Sequence, residues 1–327
     1  MGGWNQLMIT KTLKANSEAE RGKSNLFITL CSIGNGAGII LDTLYKRYFE
    51  IPRGSFCDGY YDIFALSNSW DLRELSIEKE VSTSEANINF SRATIFISCL
   101  GGYTVPTLLP YYVNNAKEQG SKIFVYFTMP FSFEGADRVQ KAYTDFENLR
   151  HLADCYLLDE FNTLTLKNAS IERAFKNADE RVIKTLVELH RTVLDPSLIS
   201  FDFNDFLLVS LKEKGRLVPF MREIAITDNS QEDDENLLIE KCFNEAVVWI
   251  AQYRSVISGV VLDVSMSQIS FEKESVGVGK DIMNKINYLL SFTFPVDTEI
   301  RFTLHVEKTL SRRCSFKIFL KIIEPLF

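Results

Sequence analysis

Metal-binding and disulfide patterns are missing from this sequence of 327 residues. Its six cysteines include no C-x-x-C pair, and the three histidines, at positions 151, 190 and 305, share no ligand spacing. These absences argue against a zinc site. Most of the cysteines lie in apolar strand or helix patterns, where a free thiol behaves as a small hydrophobic side chain. The pattern therefore predicts a reduced, cytoplasmic protein without a metal site.

Long apolar runs and basic blocks are missing as well. No stretch of 18 or more apolar residues is present, so we expect no transmembrane helix. The first 24 residues lack the apolar core of a signal peptide, and Gln6 replaces the Ser or Thr of a myristoylation signal. We expect residues 1–24 to form a polar, partly helical extension. A net charge of −7 without any Lys/Arg block argues against direct nucleic-acid binding.

What is present is an apolar fraction of 46%, typical of a soluble globular protein with about two domains. Residues 25–32 form a continuous apolar run that predicts a strand buried on both faces. A glycine-rich turn and an apolar helix over 39–49 follow. Backbone amides in such a strand–turn–helix unit can hold phosphate, although a tight turn with close helix packing would look the same. The candidate phosphate contacts here are Gly34, Asn35, Gly36 and Gly38.

This turn fits neither of two common nucleotide sites. No Gly-Lys-Ser/Thr follows it, which excludes a P-loop. A nicotinamide site would have an acid at the end of the second strand. That strand, predicted over 61–66, instead ends in Ser67, Asn68 and Ser69.

A second unit of the same kind spans residues 95–138. It combines a strand over 95–99, a turn at Gly101 and Gly102, a helix over 106–118 and a strand over 122–128. A proline-led loop with Glu134 and Arg138 follows the second strand. In an open parallel sheet, ligands bind at the carboxyl ends of the strands, where both loops would lie.

The rest of the chain predicts a long helix and a second domain. The helix, over 170–193, would be on the order of 36 Å long, enough to bridge two domains. The other predicted elements are a helix over 139–153, a strand over 155–158, a helix over 206–214 capped by Asp205, a strand over 218–226, an acidic loop over 228–236, a helix over 237–253, a strand over 258–265, a helix over 279–290 and two antiparallel strands over 300–307 and 315–323.

With these elements in place, three motifs resemble those of the FtsZ/tubulin family, and FtsZ more than eukaryotic tubulin. Residues 128–135 (TMPFSFEG) are similar to the family's TKPFxFEG loop, and residues 174–179 (AFKNAD) resemble its AFxxAD helix start. Residues 201–205 (FDFND) are similar to its VDFAD loop. The resemblance spans roughly residues 25–323. It implies an α/β fold with a parallel-sheet GTP-binding domain (25–169), a central helix (170–197) and a C-terminal α+β domain (198–327).

The resemblance implies GTP or GDP as the ligand, with Mg²⁺ carried by the nucleotide. Asp179 would accept hydrogen bonds from guanine, and Phe175, one helical turn earlier, would stack on the base. Phe175 could instead be a core residue, and Glu134 and Arg138 could pair with each other rather than contact the nucleotide. The remaining implied contacts are Asn162 at the base edge and Gly101, Gly102, Tyr103 and Thr104 at the phosphates.

In the family, the acidic loop acts on the nucleotide of the next subunit in a filament. By resemblance, Asp202 and Asp205 would be the catalytic pair, working in trans. Such a head-to-tail contact does not close on itself and produces filaments. The partners implied are further copies of the chain and adaptor proteins for membrane anchoring, cell division or DNA segregation. The C-terminal tail that recruits such adaptors to FtsZ is expected to be absent, so family membership does not by itself imply a role in the division ring.

The departures from the family lie on the phosphate side. The signature GGGTGTG is GGYTVPT at residues 101–107, so Tyr103 replaces a glycine and Pro106 offers no N–H. We expect the amides of residues 107–109 to remain available. The family's asparagine after the first glycine turn is Ile39, and its γ-phosphate loop is missing between residues 68 and 95, which contain no glycine.

Three hypotheses follow. The first is a divergent cytoskeletal protein that binds GTP or GDP and hydrolyses GTP slowly. The second is a non-hydrolysing filament or scaffold protein of the same fold. The third is an unrelated doubly wound enzyme, such as a nicotinamide-dependent one.

Overall fold

The computed structural model describes most of the chain outside the N-terminal segment and several connections. Described are residues 8–13, 28–48, 61–68, 90–161, 170–195, 197–199, 201–225, 232–267, 284, 286–288, 294–295, 297–307 and 313–323. Chain contacts divide the protein into two compact units, Met1–Lys184 and Thr185–Phe327. The division passes through the long helix that the sequence analysis treats as a separate segment.

The first unit is a six-stranded sheet with helices from its crossover connections. Its elements are β1 (Met8–Leu13), β2 (Ile28–Ile33), α1 (Asn35–Tyr48), β3 (Tyr61–Asn68), β4 (Ala93–Cys99), α2 (Thr104–Glu118), β5 (Lys122–Met129), a 3-10 turn (Ser132–Glu134), α3 (Ala136–Leu149), a second 3-10 turn (Arg150–Leu152), β6 (Cys155–Glu160) and the first part of α4 (Ile171–Leu194). The strand order is β1-β3-β2-β4-β5-β6. All neighbours pair in parallel except β1, which is antiparallel to β3. The predicted α/β class is confirmed.

Strand β1 corrects, for residues 8–13, the expectation of a polar, partly helical extension over residues 1–24; the remainder of that segment lies outside the described residues. Met8 lies opposite Asn68 and Leu13 opposite Ile63 in the antiparallel ladder. The segment MITKTL contains three β-branched residues, which favour extended backbone.

The inner strands of this sheet are apolar on both faces because helices cover both. Every residue of β2 is buried, as is every residue of β5 except Lys122. One face carries α2 and α3, whose side chains form a continuous core with the strands. That core includes Phe96, Leu109, Tyr112, Phe127 and Phe146. Its residues are the apolar positions that the helix and strand periodicities predict.

The second unit is a four-stranded sheet with order β7-β10-β8-β9. Its elements are the rest of α4, α5 (Phe203–Leu211), β7 (Gly215–Ala225), α6 (Glu232–Ala251), β8 (Ile257–Ser267), β9 (Glu299–Glu307) and β10 (Arg313–Ile322). Strand β10 is antiparallel to both β7 and β8, whereas β9 is parallel to β8. The last two strands therefore do not pair with each other as predicted, because β8 lies between them.

Two further expectations concern the acidic segment and the helix near residue 280. The acidic segment predicted as a loop over 228–236 is helical from Glu232 onward, because carboxylates are favourable in the first turn of a helix. The helix predicted over 279–290 lies mostly outside the described residues, of which 284 and 286–288 are helical.

A buried ionic cluster joins the second part of α4 to the sheet of this unit. Lys317 on β10 is 3.1 Å from the Asp263 carboxylate and 3.0 Å from Glu188 on α4. Thr192, one turn further along α4, donates a hydrogen bond to Asp263. The two carboxylates keep the Lys317 ammonium charged against the desolvation of its site, and they raise its pKa.

No helix within the described residues is both long enough and apolar enough to cross a bilayer.

We predict that Gly101→Ala destabilises the protein by about 1–3 kcal/mol. Gly101 has a φ of 90°, and an added Cβ would lie 2.9 Å from Cγ of Arg138. The matched control is Gly102→Ala, because a Cβ at Gly102 has no neighbour within 4 Å and its φ is not positive. Urea unfolding of both variants checks this, and equal midpoints would contradict it.

Candidate functional site

The glycine turn after β2 lies against the start of α2. Gly34 has a φ of 87°, and a Cβ there would sit 3.6 Å from Cβ of Thr104. The helix α1 begins at Asn35 rather than at residue 39, so Gly36 and Gly38 belong to its first turn. A Cβ on Gly36 would lie 3.3 Å from Sγ of Cys99. The glycines therefore allow close packing here, and they also place the N-terminal amides of α1 beside the end of β4.

The turn after β4 is held against α3. The Cβ that Gly101 lacks would overlap the Arg138 side chain, so this turn and the start of α3 can approach closely only at a glycine. Tyr103 is the N-cap residue of α2, and its side chain makes no capping hydrogen bond.

Helix α2 begins at Thr104, two residues before the predicted start, and this changes which backbone amides at its N-terminus lack an acceptor inside the helix. With Thr104 as the first helical residue, the amides without an acceptor inside the helix are those of residues 103–105, not 107–109 as expected. Pro106 occupies the third helical position, where an N–H would have no intrahelical acceptor in any case.

Glu134 and Arg138 pair with each other in this structure. One carboxylate oxygen of Glu134 accepts a hydrogen bond from the Phe131 backbone N–H at 2.8 Å, and the other lies 3.3 Å from Nε of Arg138. Glu134 thereby closes the 3-10 turn, a structural role that the sequence left open. The Arg138 side chain remains half exposed, so its guanidinium could still meet a ligand.

Phe175 and Asp179 lie one turn apart on α4. The Phe175 ring packs edge-on against Phe131 at 5.4 Å and against Phe133 at 5.8 Å between ring centroids. Phe131 is fully buried, but Phe133 and Phe175 remain 47% and 40% exposed. Phe175 is therefore only partly buried. One part of its ring packs against Phe131 and Phe133, and the rest is accessible to a ligand.

The Asp179 carboxylate is partly buried beside the Phe175 ring. Among the described residues, nothing donates a hydrogen bond to it or forms an ion pair with it. Burial raises the pKa of Asp179 to about 6, and the negative charge of Glu180 adds to the rise. A desolvated carboxylate of this kind is stabilised by any ligand that supplies two N–H donors.

The neighbours of Asp179 fix its place on the helix. Arg47 on α1 makes two hydrogen bonds to Glu180, at 2.6 and 2.5 Å. Arg181 lies 2.8 Å from the buried Asp159, whose other oxygen accepts a hydrogen bond from Tyr126. Asp179 is thus held between two residues that tie α4 to α1 and to β6.

Cys99, the last residue of β4, is a further residue of this region that no sequence motif marks. Burial raises the pKa of its thiol to about 11, and Asp179, Glu134 and Arg138 all act on it electrostatically. A thiol with this pKa is protonated at neutral pH, and its Sγ lies against Gly36 in the first turn of α1. Its position as the last residue of β4, just before a glycine turn, is the signal that could have identified it.

Asp202 and Asp205 lie in the second unit, at the start of α5. Asp202, not Asp205, is the N-cap, and it accepts hydrogen bonds from the Asn204 and Asp205 amides through Oδ1. Asp205 completes a capping box by accepting from the Asp202 amide at 3.1 Å. Its second oxygen lies 3.3 Å from Nε of Arg301 on β9.

Some predicted positions lie outside the described residues. Asn162 is one of them. Of the tripeptide after the second strand, Asn68 is the last residue of β3, and Ser69 begins the undescribed segment 69–89, where the γ-phosphate loop was expected to be missing.

Comparison with known proteins gives sequence matches to FtsZ. The chain is 29% identical to the cell division protein FtsZ of Aquifex aeolicus over 151 residues. The match covers 45% of this chain and 40% of that protein, so it spans less than half the length of the curated relative. A scan against models of protein families gives no match.

Solved structures extend the similarity over nearly the whole chain. An FtsZ dimer from M. jannaschii matches with a TM-score of 0.63 and 17% identity, covering 90% of this chain and 88% of that one. The chain is FtsZ-like in sequence and fold. CetZ2 from Haloferax volcanii, solved as a GTPγS-bound protofilament, matches this FtsZ-like chain with a TM-score of 0.63 and 12% identity, covering 91% and 94% of the two chains. The predicted FtsZ/tubulin-type fold is confirmed.

We predict that Asp179→Asn stabilises the ligand-free protein above pH 6. The pKa is about 6 in the folded chain and close to 4 in an unfolded one, so stability from this group is lost as the pH rises through 6. The unfolding midpoint of the variant in urea should exceed that of the wild type at pH 8, and the gap should narrow toward pH 4.

The control for this experiment is the adjacent Glu180→Gln. Hydrogen bonds from Arg47 lower the pKa of Glu180, so removal of this charge should destabilise the protein at neutral pH. A gap for Asp179→Asn that stays constant between pH 8 and pH 4 would show that its carboxylate is not desolvated.

Proposed function

We propose that this FtsZ-like chain is a cytoskeletal protein that binds GTP or GDP and assembles head-to-tail with its own copies. The observation that carries the proposal is the partly buried Asp179 carboxylate beside the exposed Phe175 ring. Guanine offers an N1–H and an exocyclic amine to such a carboxylate, whereas adenine does not. An acceptor left unpaired in a desolvated site costs about 1–3 kcal/mol, which favours guanine over adenine.

The surrounding residues suit the rest of a nucleotide. Arg138 offers an exposed cation next to the glycine turn at Gly101. The N-terminal turns of α1 and α2 bring backbone amides and partial positive charge, which favour phosphate. The Cys99 thiol, which lies against Gly36 in the first turn of α1, adds no charge there. Mg²⁺ would enter with the nucleotide and neutralise its phosphates.

Assembly is supported by the relatives. The similar CetZ2 structure was solved as a protofilament, and the similar FtsZ structure was solved as a dimer. In a head-to-tail contact, the start of α5 in one copy would face the nucleotide of the next. We infer that such filaments serve a cytoskeletal role, with cell division as the activity named for the sequence relatives.

We further propose that GTP is hydrolysed in trans, by residues of the neighbouring copy. Asp202 uses only Oδ1 for capping, so its second oxygen could accept a hydrogen bond from a water that attacks the γ-phosphorus of GTP in the neighbouring copy. The bond to the β-phosphate oxygen would break, leaving GDP and phosphate. Phosphoryl transfer depends mainly on positioning and electrostatics, which a capped and rigid carboxylate can supply.

A second candidate is a filament or scaffold protein that binds nucleotide without hydrolysing it. The favouring observation is that three of the four oxygens of Asp202 and Asp205 are already used by backbone amides and Arg301. The start of α2 also has one backbone N–H fewer for the phosphates, because Pro106 has none, and this favours binding without hydrolysis.

We predict that purified protein, once denatured, releases guanine nucleotide that chromatography identifies. Asp179→Asn should lower the affinity ratio of GTP to ATP by about 10- to 100-fold, because guanine loses its carboxylate partner. Glu172→Gln, at an exposed acid in the first turn of the same helix, should leave that ratio unchanged. Release of a nicotinamide cofactor, or no affinity for any nucleotide, would overturn the proposal.

We predict that phosphate release per subunit rises with protein concentration and is lost in Asp202→Ser. Serine keeps the helix cap but removes the carboxylate, so the variant separates a catalytic role from a structural one. The control is Glu213→Gln, an exposed acid just beyond the other end of α5. Wild-type protein that binds GTP but releases no phosphate at any concentration would establish the second candidate.

A further inference from the structure

Lys141 lies beside the predicted phosphate end of the site, although no sequence motif marks it. It follows Arg138 by about one turn of α3 and holds its ammonium 5.1 Å from the centre of the Tyr103 ring. Tyr103 is the N-cap residue of α2 and is 82% exposed. The cation therefore stands next to the N-terminal end of α2, on an open surface.

Two neighbours hold the lysine in this place. Nζ donates to both oxygens of Asp145, at 3.0 and 2.7 Å, and Asp145 is itself buried in α3. An ammonium group has three N–H donors, and these contacts use two of them. The third can serve an acceptor on the Tyr103 side without any loss of the Asp145 contacts.

The other charged residues near Lys141 on α3 include one further cation and three carboxylates. Arg138 is paired with Glu134, Asp137 is exposed, and Asp145 is engaged by Lys141 itself. Lys141 is thus the next cation along α3 from Arg138, on the side toward Tyr103. Because Pro106 supplies no N–H, the α2 end offers fewer backbone donors to a phosphate than a proline-free helix start would.

We propose that Lys141 is a phosphate-binding residue of this site, held by Tyr103 and Asp145 and compensating for the missing backbone donor. This inference rests on the proposed guanine-nucleotide binding. The ammonium would donate a charge-assisted hydrogen bond to a phosphate oxygen, while Asp179 and Phe175 recognise the base. Lys141 therefore contributes to the affinity for the phosphates and not to the affinity for the nucleoside.

The test is a calorimetric titration of guanosine, GMP, GDP and GTP into wild type and Lys141→Gln. We expect GDP and GTP to bind about 5- to 10-fold more weakly to the variant, as for a partly exposed charged contact. Guanosine affinity should not change. Lys141→Arg should restore most of the phosphate contribution, and Lys117→Gln, an exposed lysine in the last turn of α2, should have no effect.

The ring and the salt concentration provide two further readouts. Tyr103→Ala removes the aromatic face under Lys141, so this variant should bind GDP more weakly than the wild type without a change in guanosine affinity. The dependence of GDP affinity on salt should be weaker in Lys141→Gln than in the wild type.

The outcomes separate this inference from the function on which it rests. If the wild type binds no guanine compound, the proposed function fails and this inference fails with it. If guanine nucleotides bind but Lys141→Gln leaves the GDP-to-guanosine ratio unchanged, only this inference is overturned. An equal loss for guanosine and GDP would also overturn it, because it would assign Lys141 a purely structural role.

Discussion

Parallel pairing of the inner strands is the constraint on which the candidate site depends. Because β2, β4 and β5 run in the same direction, each must be followed by a crossover, and the turns that begin these crossovers meet at one edge of the sheet. Gly34, Gly101 and the Phe131–Glu134 segment come together for this reason alone. The glycines then decide how closely they meet, because a Cβ at Gly101 would overlap the Arg138 side chain and a Cβ at Gly36 would crowd the Cys99 thiol.

The Asp179 carboxylate is destabilised in the ligand-free protein in a way that a bound ligand can relieve. Its charge is disfavoured by burial, and nothing described donates to it, so the folded chain is less stable at neutral pH than it could be. The ion pairs of Glu180 with Arg47 and of Arg181 with Asp159 tie the two residues that follow Asp179 in α4 to α1 and β6. A base that donates two hydrogen bonds would relieve this penalty, which links affinity, selectivity and pH dependence to one carboxylate.

Asp202 and Asp205 illustrate a carboxylate pair with two compatible uses. As a capping box they begin α5, and this role alone would justify both residues. The cap also fixes their side chains, and a fixed carboxylate is what a reaction shared between two copies requires. Hydrolysis in trans is the second use that we propose, and replacement of Asp202 by serine distinguishes the two because serine caps without carrying charge.

The sequence alone determined the α/β class, the parallel core strands, the length of α4 and the motifs that mark Phe175, Asp179 and Arg138. These follow from local periodicity and from short motifs, which the chain carries without reference to distant residues. Only the tertiary structure decided that Met8–Leu13 adds an edge strand, that β8 separates β9 from β10, and that Asp202 rather than Asp205 caps α5. It also brought Cys99 and Lys141 to the site. Their roles depend on contacts between elements far apart in the chain, such as Lys141 over Tyr103, and neither periodicity nor motif spacing encodes such distances.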